Sequence, residues 1–251
     1  MEFNNQPNRN QGGAFYEQAM RDNRRKHGAA ARAERFTAEA VNPAGTISRR
    51  AYNLIIGLVI LWGVGLDTVI CQVWGEQLAA TMQRSWTWML LYLALVIGGM
   101  IIIHAAKNPV VSFLGFNLVV VGFGVTLAMV VPLYAPGVVL EAFLVTTIVT
   151  AFMLLMGQIW QDFFARIGVV LCGALIAVIL VEVIMLLVTG TYPTWISVVS
   201  ALIFSGFIGY DWSMAQKAPP TAKNAVMFAT SLYVDIINLF LDILRIVGND
   251  R

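Results

Sequence analysis

Seven long apolar runs organise the chain, at about 52–74, 86–106, 110–133, 138–161, 166–189, 194–213 and 225–247. A helical run of about 18 or more apolar residues spans a hydrocarbon core roughly 30 Å thick. A β-barrel does not fit, because barrel strands alternate apolar and polar residues over only about ten positions. Only 12% of the 251 residues are charged against 59% apolar, too few charges to cover a soluble domain. The expected fold is all-α: a polytopic membrane protein with seven transmembrane helices over residues 52–248, joined by short connections and solvated by the lipid bilayer.

Residues 1–51 differ in kind. "MEFNNQPNRNQGG" is polar and "MRDNRRKHGAAARAERF" is basic, and nine of the sixteen Lys and Arg residues precede Tyr52. This composition reads as a disordered cytoplasmic tail with a helix near Ala29–Val41; contact of the basic cluster with lipid headgroups is the alternative. The first apolar run begins about fifty residues in, so no cleavable signal peptide is expected. With the N-terminus inside, thirteen basic residues fall on the cytoplasmic side against three on the other, Arg84, Arg245 and Arg251. That asymmetry orients the protein N-in and puts the C-terminus outside, or inside if the seventh run turns back.

Several chemistries are not encoded. Cys71 and Cys172 lie in different apolar runs and have no metal-ligand spacing, so they read as free thiols. No GxGxxG, phosphate-binding GxxxxGK[ST] or HExxH pattern occurs, and no nucleic-acid ligand, enzymatic activity or cofactor is expected. The only histidines are His27 and His104.

The residues needing explanation are acids. Asp67, Glu141, Glu182, Asp211, Asp235 and Asp242 lie within or at the ends of spans, where an ionisable group costs about 2.5–3.5 kcal/mol or more. On the last run, Asp235, Asn238, Asp242 and Arg245 keep to one side of a helix, with Ser231 one turn earlier. Such a stripe belongs in the middle of a bundle or beside a wet path. Asp242 and Arg245 read as a structural ion pair, with Asn238 bonding a neighbouring helix. Asp67 is expected at the outer interface.

Asp235 has no local partner. Asp211, 24 residues earlier, lies on the preceding helix, and antiparallel packing brings the two carboxyls together. Two carboxylates in a poorly hydrated site do not both ionise cheaply, so the pair holds a proton. Losing it creates like-charge repulsion between the helices. The arrangement is a proton-sensitive latch.

At these residues the chain resembles the Bax-inhibitor family, the transmembrane Bax-inhibitor-motif (TMBIM) proteins. The resemblance rests on Tyr210–Asp211 and on "SLYVDIINLFLDILRIVG" at Ser231–Gly248, with "VVLEAF" at Val138–Phe143 similar to bacterial members. It implies six helices around a central seventh. It also implies a pH-sensitive calcium leak gated by a di-aspartyl sensor, which falls on Asp211 and Asp235. Two departures stand out. The chain reads "YDWSMAQ" where the family often continues with Thr-Gln, and "IIIHAAKNP" holds no arginine to latch the sensor, leaving Lys107 and His104 as substitutes. A lysine lacks the forked contact of an arginine, and a lone histidine at a helix end reads first as a headgroup-level residue, with a gating role for His104 as the alternative.

Calcium takes oxygen ligands, and Asp211, Asp235 and Asp242 with Asn238 suit a weak, partly hydrated Ca²⁺ site, with Ca²⁺ as the permeant ion and H⁺ its competitor. Asn238, Asp242 and Glu141 are candidates for the ion path, Glu141 equally able to bond a facing helix, and Glu182 reads as structural, bonding a facing helix. The rivals are an intramembrane aspartyl protease, which needs Gly-x-Gly-Asp where this chain has "LYV" before Asp235; a proton-coupled transporter, for which no internal repeat is seen; and a membrane-embedded regulator with unknown protein partners. A bacterial inner membrane is the expected location.

Overall fold

Each apolar run becomes one helix. The computed structural model describes residues 45–82, 86–190 and 193–249; most of the basic tail and Arg84 lie outside the described residues. The helices are α1 (Arg49–Met82), α2 (Trp86–Ala105), α3 (Pro109–Val130), α4 (Pro136–Ile159), α5 (Gln161–Thr189), α6 (Thr194–Lys217) and α7 (Ala222–Asn249). Six are long and apolar enough to cross a membrane, and α2 adds the apolar stretch Met89–Ala105. Helix α1 outruns its apolar segment, because "GEQLAATM" after Trp74 is rich in good helix formers.

The ends are set by local chemistry. Pro109 and Pro136 occupy first-turn positions, where a missing N–H costs nothing. The Asn108 side chain accepts a hydrogen bond from the Val110 amide at 2.9 Å, capping α3. Gly190, at φ 65°, closes α5 in the left-handed conformation that glycine adopts without a Cβ penalty. At the end of α6, the Arg49 guanidinium donates to the carbonyls of Ala215 and Ala218 at 3.3 and 3.2 Å. A cation there satisfies orphan carbonyls and complements the helix dipole.

Packing is ordered by polarity in the sense a membrane requires. Helix α7, which carries the polar stripe, packs against α1, α3, α4 and α6, and 61% of its most apolar stretch is buried, against none of that of α5. Val169, Leu187 and Val188 of α5 are at least three-quarters exposed, a lipid-facing surface. Helix α3 joins α1 to α2 on one flank, and α6 joins α4 to α5 on the other. The seventh helix is therefore central, as expected.

Close backbone approach holds the flanks together. A Cβ on Gly99 of α2 would sit 2.6 Å from the Gly115 carbonyl oxygen of α3, and one on Gly115 would sit 2.8 Å from that of Gly99. Small residues allow such contact between membrane helices. Gly173 on α5 faces open space. We expect Gly99→Ala to destabilise the protein by about 1–3 kcal/mol, read as a lower thermal midpoint in detergent. Gly173→Ala should leave the midpoint unchanged or slightly raised.

Candidate functional site

Helices α6 and α7 meet through two acids. Asp211, half-buried, and Asp235, only 7% exposed, bring their carboxyls within hydrogen-bonding reach of each other, and the Ser231 hydroxyl also bonds Asp211. The second oxygen of Asp235, Oδ2, is buried with no protein partner. Two touching carboxyls of which one is almost wholly buried favour a shared proton over two charges. Neighbouring bonds fix this turn of α6: the Ser213 hydroxyl donates to the Tyr210 carbonyl at 2.7 Å, and the Trp212 indole donates to Gln158 of α4 at 3.2 Å.

The pair faces a cavity of about 630 Å³ lined by residues of α2, α3, α5, α6 and α7. Its polar lining runs along α7 from Ser231 and Asp235 through Asn238 to Asp242 and Arg245, with Glu182 and Ser200 opposite. Tyr92, Phe123, Phe204, Phe207 and Tyr210 supply aromatic surface. Four acids and one arginine line a largely apolar space, an arrangement suited to a cation in transit.

At the far end, Asp242 is 3% exposed. Its Oδ1 lies 3.5 Å from Arg245 Nη1, a long contact, and its side chain also bonds Ser200. Glu182 is close enough to act on it electrostatically.

Several expectations change. The Asn238 amide donates one hydrogen bond to Val234 of its own helix at 2.8 Å. Glu182 lines the cavity and Glu141 does not. Among the described residues no three His, Cys, Asp or Glu side chains cluster to hold a metal ion. Asp242 lies two turns, about 10 Å, along α7 from Asp235, so the three-aspartate calcium site does not assemble. His104 and Lys107 are exposed, and His104 Nδ1 lies 2.8 Å from the Met100 carbonyl. Two other cations meet the last turn of α6: Arg49, which bonds its carbonyls, and Lys217, which pairs with Asp162 at 2.7 Å.

Asp67 departs furthest from expectation. It is 3% exposed, and the Tyr233 hydroxyl donates to its Oδ2 at 2.6 Å. It is a buried carboxyl rather than an interfacial one. The hydropathy of its run carried no sign of this, since the signal lies in Tyr233, 166 residues away.

Fold and site define a class: a polytopic helical membrane protein whose central helix carries a buried carboxyl pair beside an acid-lined cavity. Residues 45–251 match the family described as "Inhibitor of apoptosis-promoting Bax1", and the chain belongs to this Bax-inhibitor family. It is 33% identical over 153 residues to an uncharacterized membrane protein of Streptococcus pyogenes serotype M3, covering 58% of this chain and 67% of the relative. It is 36% identical over 151 residues to the Golgi anti-apoptotic protein of vaccinia virus strain Lister, covering 58% and 61%. An uncharacterized protein of Helicobacter pylori strain J99 is 32% identical over 123 residues, covering 49% and 53%.

The Asp242–Arg245 contact is testable by a double-mutant cycle. Because the Arg245 side chain is 35% exposed, we expect Asp242→Asn and Arg245→Gln to couple by only about 0.5–1 kcal/mol in unfolding free energy.

Proposed function

We propose that the protein is a pH-sensitive calcium leak gated by Asp211 and Asp235. The observation that carries this reading is the contact between their carboxyls at the edge of the acid-lined cavity. While one proton is shared, the two side chains hold α6 against α7. As pH rises and the proton leaves, two like charges face each other in a poorly hydrated site, and the helices separate. The cavity then joins the cytoplasmic side, and weak binding lets Ca²⁺ both enter and leave. Asp235 and Asp211 act as the sensor, with Asp242, Asn238 and Glu182 along the path.

Orientation and location belong to the same proposal. The excess of basic residues on one side supports a cytoplasmic N-terminus, and the streptococcal membrane relative supports a bacterial inner membrane. A second reading, a membrane-embedded regulator of cell death, draws on the viral relative's name; it requires no ion flux.

Calcium entry into proteoliposomes of purified protein separates the two. We expect entry to increase with external pH, by at most about tenfold per pH unit for a single shared proton. Asp235→Asn and Asp211→Asn should each give low, pH-independent entry, because a neutral amide cannot create the repulsion. Absence of calcium flux at every pH would remove the leak and leave the regulator.

A further inference from the structure

Asp67 lies on α1 and is not among the residues that line the cavity. Its Oδ2 accepts from Tyr233, while its Oδ1 is buried with no hydrogen-bond partner. Among the described residues, the titratable groups acting on this Asp67–Tyr233 site are Cys71 of α1 itself and Tyr92 of α2. Packed helix α3 contributes Phe116 and Phe123, both edge-on to the Tyr233 ring at 5.4 and 6.0 Å, and Gly124. A Cβ on Gly124 would sit 2.9 Å from Asp67 Oδ1, so a glycine there makes room for that oxygen. No Lys, Arg or His approaches among the described residues.

A carboxylate in this place would have one hydrogen bond and, among the described residues, no cation beside it, an unfavourable state for a buried charge. A carboxylic acid fits it better: its carbonyl oxygen accepts from Tyr233, and a neutral hydroxyl costs less to bury than a charge. Position on α7 gives the site a consequence. Tyr233 precedes Asp235 by two residues, a rotation of about 200° and a rise of about 3 Å. The two contacts therefore grip the central helix from opposite faces at nearly one depth, Asp235 towards α6 and Tyr233 towards α1.

We propose that Asp67 is a second proton-binding site of this protein, a buried carboxyl that clasps α1 to α7 through Tyr233 and is neutral while they are packed. Ionising it strengthens the single Tyr233 hydrogen bond but leaves a buried charge with no cation beside it, and that loosens the α1–α7 packing. The clasp is separate from the Asp211–Asp235 pair and does not depend on which ion, if any, crosses the membrane. Proton loss at either site loosens one face of α7.

Infrared spectroscopy of the purified protein in detergent at neutral pH, without calcium or a gradient, tests it. Wild type minus Asp67→Asn should show the loss of one protonated-carboxyl C=O band. Wild type minus Tyr233→Phe should show that band moved to higher frequency, as its carbonyl loses a hydrogen bond. Should Asp67→Asn fail to fold, the Tyr233→Phe shift still decides. Thermal stability should fall more steeply towards alkaline pH in wild type than in Asp67→Asn. A spectrum with no carboxyl band altered by either substitution means that Asp67 is ionised, and overturns the proposal. So does an identical decline of stability with pH in wild type and Asp67→Asn.

Discussion

The cost of a bare carboxylate in a poorly hydrated bundle governs this structure. Membrane helices gain nothing by hiding apolar side chains from lipid, so the ordering of α1 to α7 follows from where polar groups find partners. Helix α5, an apolar span with none of its most apolar stretch buried, faces outward, and the helix with the densest polar stripe, α7, is surrounded. Asp235 meets Asp211, Asp242 meets Ser200 and Arg245, and Tyr233 meets Asp67. Each contact ties α7 to another helix or to its own last turn.

These contacts differ in what they do with charge. Asp242 has a guanidinium within 3.5 Å. Asp211 and Asp235 have each other, which makes their contact conditional on a proton. An apolar contact at the same place would hold α6 and α7 together at any pH. The glycine contacts, such as Gly99 with Gly115, supply that unconditional cohesion elsewhere.

Much of this was legible in the residues. Length and hydropathy set the seven spans, and the i, i+3, i+7, i+10 spacing of Asp235, Asn238, Asp242 and Arg245 put a polar stripe on the last helix and hence that helix inside. Spacing along one helix does not say what lies across from it. Asp67 looked like an end-of-span residue because Tyr233 is visible beside it only once α1 and α7 pack. From the sequence Glu182 reads as structural and Glu141 as the path candidate, because an isolated acid in an apolar run does not show what it faces; the position of α5 beside the cavity reverses that order. The exposed ends of α2, with His104 and Lys107, attracted attention as substitutes for a missing arginine, whereas Arg49 reaches the end of α6 from the far end of the sequence.

The shared proton is tested most directly by carboxyl-carbon NMR of aspartate-labelled protein across pH, with signals assigned through Asp211→Asn and Asp235→Asn. The account predicts that both carbons respond at each of two well-separated steps, and that replacing either residue collapses the titration to one step. Two carbons that each titrate once, independently and in the ordinary carboxylate range, would contradict it.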